Sequence, residues 1–412
     1  MHQQVEHLFR NEYGRVVSLM TSKYGISNLE LIEDVVQDSF LQAMKLWGYQ
    51  KVPDNPTAWL FRVAKNKLID NFRRSKKINY VADYIKDEED TVAELTNNDE
   101  INDSELKMIF ACCHPSLKPE YQIILSLKLI GGFSNKELAE ALLKKEETVA
   151  KSFTRAKKQF KEHVQLLKVP VQMALQSRLF IVLRVIYLLF TEGYDATTGS
   201  QVLKRDICYE ALRLALLLQK NVYCQHPNLE ALIALMCFHA VRFDARLNED
   251  GELVTLEHQD RSKYNQELFV IGARHLENAG TQTKIPSRYH LEAAVSYYHC
   301  AAKSFNETDW AAILELYDLQ LKTQYSPMAA LNRIMPLSKV KGAAHALSEL
   351  DKLEHNNAYE SVGLFFAIKA ELLAELHKDH KFHLEKAIDL TENELVKKHL
   401  SKKLKVATEG LK

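Results

Sequence analysis

The chain has 412 residues, 46% hydrophobic and 26% charged, with 54 basic side chains balanced by 54 acidic ones. That length allows about two to four domains, and the composition is that of a soluble globular chain rather than a fibrous or disordered one. No run of about 18 apolar residues appears, so no membrane span is expected, and the N-terminus MHQQVEHLFR lacks the apolar core of a secretory signal.

A cytoplasmic location follows as an expectation, and the cysteines agree with it. The six thiols (112, 113, 208, 224, 237, 300) show no C-x-x-C spacing and read as reduced core residues. Cys112 and Cys113 stand beside His114, but adjacent cysteines do not easily chelate one ion, so neither a metal nor another cofactor is expected. The zero net charge hides a strong local bias. Arg62 to Lys77 holds seven basic residues against Asp70, whereas Asp83 to Glu105 holds ten acidic residues against Lys86. Local patches of this kind decide phosphate affinity.

Residues 1–75 read as a helical module. Ser27-Asn28-Leu29-Glu30 forms a capping box that opens a helix to about Trp47. Leu29, Ile32, Val36, Phe40, Ala43 and Trp47 recur at helical spacing and are assigned to the core. Glu30, Asp34 and Asp38 lie four apart on another face, with Glu33 and Gln37 beside them. By itself this acidic stripe reads most simply as a solvated face. After a loop with Pro53 and Pro56, a helix from about Thr57 to Lys77 combines Trp59, Leu60, Val63, Leu68, Ile69 and Phe72 with a basic face. Lys65, Asn66, Asn71, Arg73 and Arg74 are suited to phosphates, and Trp59, Phe61 and Phe72 offer planes for unpaired bases or, alternatively, core.

Residues 76–104 are acidic, poor in apolar side chains and rich in Asn and Asp, which predicts a flexible linker. A second module spans 105–168. Within it, Ser134 to Phe160 reads as two short helices joined by a tight turn at Leu143, the first opened by the Ser134–Glu137 capping box. Lys151, Arg155, Lys157, Lys158 and Lys161 make the second helix basic. That is the arrangement by which a helix-turn-helix sets a helix in the major groove, although a solvated helix pair fits the same residues.

Taken in order, EDVVQDSFLQAMKLW, PTAWLFRVAKNKLIDNFRR, the acidic stretch and YQIILSLKLIGGFSNKELAEALLKKEETVAKSFTRAKKQF resemble a bacterial RNA polymerase sigma factor of the extracytoplasmic-function group. The resemblance implies an all-α fold of two small sigma modules, a linker and a helical extension. It implies that Glu33, Asp34, Gln37 and Asp38 dock on core polymerase. It further implies that the helix carrying Trp59, Lys65, Asn66, Lys67, Asn71, Arg73 and Arg74 recognises and melts the −10 element. Glu147, Thr148, Lys151, Ser152, Arg155 and Lys158 correspond to the helix that reads the −35 element. The chain departs from that pattern at Ala150 and Ser152, where many relatives are basic, which leaves Lys151 and Arg155 as the principal contacts. Core RNA polymerase, double-stranded promoter DNA and the melted −10 strand are the partners so implied.

Residues 169–412 read as helical throughout, with apolar-periodic runs at Leu175–Phe190, Asp206–Gln219, Pro227–Val241 and Ser287–Ser304. Asp250-Gly251 is the one hairpin signal. Two stretches within 326–391 look like successive tetratricopeptide-like helix pairs, a surface suited to a protein or peptide partner. The extension resembles that of a sigma subgroup with a large helical C-terminal domain, and FTEGYDATTGS, LEHQDRSKYN and NETDW sit where that subgroup carries similar strings. Glu192, Tyr194, Asp260, Arg261 and Asp309 are its candidate polar groups. No phosphate loop, nucleophile elbow or metal-spaced His set accompanies them, so no catalysis is expected. The competing class is a helix-turn-helix regulator with a helical sensor domain, which has no need of a polymerase interface.

Overall fold

The protein is described by a computed structural model covering residues 2–47, 52–74, 98–142, 144–170, 173–194, 203, 205–354 and 359–409. Among these residues every extended element is a helix, and the one β feature is an isolated bridge between Leu247 and Leu253. The chain divides into two compact units, one of Met1–Leu189 with Leu216–Cys224 and the other of Phe190–Ala215 with Gln225–Lys412.

In the first unit, α1 (His2–Tyr24) packs on α2 (Leu29–Trp47) and α3 (Pro56–Arg74). The six residues of α2 assigned to the core from their spacing are all buried. Ser27 lies in a 3-10 turn, Ile26–Asn28, that precedes α2, so the helix proper begins at Leu29, one residue later than a Ser27 N-cap implies. Pro56 occupies the first position of α3, where its missing N–H would have had no helical partner. The helix α3 is described as far as Arg74, and the expected continuation to Lys77 lies outside the described residues.

Next comes α4 (Asn98–Cys112), which packs on α1. It takes in residues 98–104, which composition had assigned to the linker; Ser104 and Glu105 are already buried. The apolar run Leu106, Ile109, Phe110, Cys113 recurs at helical spacing, and the helix it drives extends back into the polar segment. Cys112 and Cys113 are buried, and burial pushes both thiols up, Cys113 to about 12. Three helices complete the module: α5 (Pro119–Leu129), α6 (Asn135–Ala141) and α7 (Glu146–His163). The Ser134–Glu137 capping box is present in both directions: the Glu137 amide donates to Ser134 Oγ at 3.1 Å and the Ser134 amide to Glu137 Oε2 at 2.8 Å. Leu138, Ala139 and Val149 are buried where α6 crosses α7. Leu143, the turn position, lies outside the described residues.

The helices α8 (Met173–Tyr194) and α9 (Arg205–Lys220) each contribute residues to both units. The second unit is organised around α10 (Pro227–Val241), which is buried on nearly every side, as expected of a helix that is apolar all round. On it pack α11 (Gln266–Thr281) and α12 (Arg288–Ala301), with a buried hydrogen bond between His275 Nδ1 and Glu230 Oε2 at 2.7 Å. The Asp250-Gly251 signal is realised as a tight turn, with Gly251 at φ 72° and the Leu247–Leu253 bridge closing it. After α13 (Trp310–Thr323), residues 326–391 form α14 (Pro327–Asn332), α15 (Ile334–Lys341), α16 (Ala343–Glu354), α17 (Gly363–Glu375) and α18 (Lys381–Asp389). Each packs on the next, α19 (Glu394–Glu409) closes the series, and Leu337, Leu350, Phe365, Leu372, Leu384 and Leu400 share one core.

Candidate nucleic-acid interface

The three helices on which the expected contacts lie are each amphipathic, so burying one face fixes which side chains the other presents. On α2, Asp34, Gln37 and Asp38 are exposed, and Leu41 continues their face with 56% of its surface exposed. Gln37 also hydrogen-bonds the buried Tyr13 hydroxyl. The Asp38 carbonyl accepts from Lys67 Nζ at 3.1 Å, which ties α3 to α2 at this point.

Glu33 does not belong with them. It is 5% exposed, and its carboxylate accepts from Lys157 Nζ at 2.9 Å. Burial pushes its carboxyl up, more than Lys157 and Lys128 pull it down. One residue is about 100° of rotation on a helix, enough to carry Glu33 from the outer face to the inner one. In this arrangement Glu33 is therefore turned away from Asp34 and Asp38 and toward Lys157.

On α3, Asn66, Asn71, Arg73 and Arg74 are exposed and Lys65 and Lys67 half-buried. Asn71 donates to the Lys67 carbonyl at 2.9 Å, and Arg73 lies 3.8 Å from Asp70. Of the three aromatic residues considered for base stacking, Phe61 and Phe72 are core, whereas Trp59 is half-buried with its ring 5.1 Å from that of Trp47. Trp59 is thus the plane that reaches the surface.

On α7, Val149, Phe153, Ala156 and Phe160 are buried, and Glu147, Thr148, Lys151, Arg155 and Lys158 emerge on the opposite side. Lys151 pairs with Glu147 at 2.6 Å, and Ser152 is half-buried with its hydroxyl 3.5 Å from Glu120. Arg155 is the exposed guanidinium at the middle of this face.

A third face of α7 turns toward α2. Besides the Lys157–Glu33 pair, Lys161 Nζ lies 2.8 Å from Glu30, and that hydrogen bond holds the Glu30 carboxyl below the usual range. Nearby, Arg15 Nε is 3.9 Å from the buried Glu105 carboxylate and Arg15 Nη1 donates to Glu12 at 3.1 Å. Glu12 also receives the Thr57 hydroxyl. At the centre of the joint, α1 presents Gly14. A Cβ there would stand 2.0 Å from the Ile130 carbonyl oxygen, so the contact requires the residue without one. Sequence reasoning found Lys157 and Lys161 but read them as part of a basic face. Their partners lie more than a hundred positions away, and no local pattern signals that pairing.

Comparison with known proteins matches this geometry. Residues 8–78 match the family described as Sigma-70 region 2, and residues 107–160 match Sigma-70, region 4. Residues 178–280 match a family of unknown function, DUF6596. A protein of Rhizobium meliloti (strain 1021), described as uncharacterized, is 31% identical over 331 residues, which cover 79% of this chain and 78% of that protein. No solved structure matches the chain. The chain belongs to the sigma-70 family, as an extracytoplasmic-function-like sigma factor with a helical C-terminal extension. It directs promoter-specific transcription through core RNA polymerase and promoter DNA. Among the described residues, no helix is long and apolar enough to cross a membrane.

Proposed function

We propose that this sigma factor docks on core polymerase through Asp34, Gln37 and Asp38, with Leu41 extending the contact. The −10 element is held and melted by Trp59, Lys65, Asn66, Lys67, Asn71, Arg73 and Arg74. Extracting a base from the duplex costs a few kcal/mol of unstacking, which an aromatic plane and phosphate contacts offset. Glu147, Thr148, Lys151, Ser152, Arg155 and Lys158 enter the major groove at the −35 element, where base edges are legible to a helix. The protein works in the cytoplasm and carries no chemistry of its own. The observation that carries the reading is that the implied contacts, Glu33 apart, fall on the outward faces of α2, α3 and α7, each backed by core.

The joint between the modules gives the reading a second part. Glu30 and Glu33 are engaged by Lys161 and Lys157, so one end of the docking stripe is covered by the helix meant for the −35 element. This closed pair is a resting state that opens when polymerase is bound. The solvent-exposed Lys161–Glu30 pair contributes only about 0–1 kcal/mol, and the attraction in the buried Lys157–Glu33 pair is offset by the desolvation of Glu33, so polymerase contacts can replace both. The C-terminal domain regulates or supports these steps through a protein contact on its helical repeats.

The direct test replaces Asp34 and Asp38 with alanine together. Affinity for core polymerase is expected to fall about tenfold or more, roughly 1.4 kcal/mol per factor of ten, with binding to duplex promoter DNA unchanged. Equal affinity of the double variant and the parent for core polymerase would show that the stripe is only a solvated face.

A further inference from the structure

Three strings that the sigma modules do not use converge in the second unit. FTEGYD supplies Tyr194 at the end of α8, HQDRSKY supplies Arg261 and Tyr264, and NETDW supplies Trp310 at the start of α13. They meet His239 and Arg242 at the end of α10, Arg246 just beyond it, and His299 on α12. The Tyr194 and His239 rings are 4.2 Å apart, and the Arg246 guanidinium lies 4.0 Å over Tyr194 while donating to its carbonyl at 2.6 Å. Arg261 Nη1 donates to the carbonyls of His299 and Ala302 at 2.5 and 3.1 Å, and the rings of His299 and Trp310 are 5.4 Å apart.

The cluster brings together three guanidinium groups, and its hydrogen-bonding capacity is not used up. Arg242 Nε, Arg261 Nη2, His239 Nδ1 and His299 Nδ1 are all buried without a hydrogen-bond partner among the described residues. Among the described residues, the ionisable groups that act on Arg242 are Tyr194, Tyr264 and Cys300, none of them a carboxylate. The exposed Asp244 is engaged elsewhere, by Arg205 at 2.5 Å. Both imidazoles are held neutral: burial, reinforced by the arginines, depresses His239 well below its usual value and His299 to about 3. Arg242 is half-buried with its Nε enclosed, and among the described residues no carboxylate acts on it; a donor left unpaired away from water costs free energy. Guanidinium forks match the oxygens of phosphate and carboxylate groups, and flat rings beside them accept a planar or apolar body.

We propose that the arginine–histidine–aromatic cluster of Tyr194, His239, Arg242, Arg261 and His299 binds a small oxyanion, a phosphate- or carboxylate-bearing molecule, in the C-terminal domain. Arg242 and the free Nη2 of Arg261 hold the anionic group, and the neutral imidazoles supply further donors. The domain would thereby be an effector-binding module.

The experiment uses the full chain at constant ionic strength, with pyrophosphate and citrate as separate probes and chloride as the control. Melting temperature and the fluorescence of the tryptophans, one of which is Trp310, are followed as the probes are titrated. The parent is expected to show a saturable rise in melting temperature with at least one probe, and which one responds tells phosphate from carboxylate. Arg242→Met is expected to abolish that response while leaving the melting temperature without anion equal or higher, because a partly buried charge with an unpaired Nε has been removed. Arg242→Lys, which keeps the charge and loses the fork, is expected to weaken the response at least tenfold, and serves if the methionine variant does not fold. Arg155→Ala, on the DNA-facing helix, should respond as the parent does. A parent that responds no more than to chloride overturns the proposal. So does an Arg242→Lys response equal to the parent's, or a response lost in Arg155→Ala instead.

Discussion

Gly14→Ala is expected to open the two promoter-reading modules without unfolding either. The added methyl would stand 2.0 Å from the Ile130 carbonyl oxygen in the closed pair, and that atom belongs to backbone that cannot step aside as a side chain can. Overpacking of this severity costs about 1–3 kcal/mol or more. In the open pair the same methyl sits on a free helix surface, where alanine is favoured over glycine by about 0.5–1 kcal/mol. Both terms act in the same direction, so the ratio of open to closed molecules should rise by about one to three factors of ten. The variant should show faster proteolysis between Arg74 and Asn98, a larger radius of gyration in solution, and tighter binding to core polymerase. The last result separates the account from simple destabilisation, which would weaken polymerase binding. A variant as compact as the parent would mean that the Gly14–Ile130 contact does not hold the modules together.

Arg155→Ala carries the second large effect, on DNA rather than on polymerase. Arg155 is exposed at the middle of the outward face of α7, while neighbouring Lys151 shares its charge with Glu147 at 2.6 Å. A guanidinium that reaches a base edge contributes about 1–3 kcal/mol of discrimination. Affinity for the −35 duplex should fall by about ten- to a hundredfold, and the loss should differ between sequences altered at the contacted base pair. Lys151→Ala, by contrast, should weaken binding to all sequences alike and lower the salt dependence, the behaviour of a phosphate contact. Titrations of labelled duplexes at two salt concentrations distinguish the two. Equal losses across all sequences for Arg155→Ala would reassign it to the phosphates.

Much of this arrangement is written in local pattern. The core face of α2, the reciprocal Ser134–Glu137 cap and the Gly251 turn follow from spacing and from residue conformational preference, and each appears where the pattern places it. The order of an acidic helix, a Trp-and-Arg helix and a helix-turn-helix is specific enough to carry family membership. What local pattern could not supply is pairing across the chain. Glu33 looks like its neighbours Asp34 and Asp38 in the sequence, and only the arrival of Lys157 from 124 positions away takes it out of their company. Gly14 reads as an ordinary helix glycine until the Ile130 carbonyl is set against it. The boundary at residue 104 was missed for a related reason: composition described the segment as polar, but the apolar run after it propagates a helix back to Asn98. In the extension, Tyr194 and Arg261 were visible as isolated polar groups, and the convergence that gives them chemistry is purely tertiary.

Transcription from defined templates tests the central claim most directly. Core RNA polymerase of the source bacterium, mixed with the purified full chain and its genomic promoters, should give transcripts that start at fixed positions and depend on the added protein. Asp34→Ala with Asp38→Ala should lose most of that product while still binding duplex DNA. A chain that binds promoter DNA yet yields no protein-dependent start from any promoter, and forms no complex with core polymerase, would contradict the account.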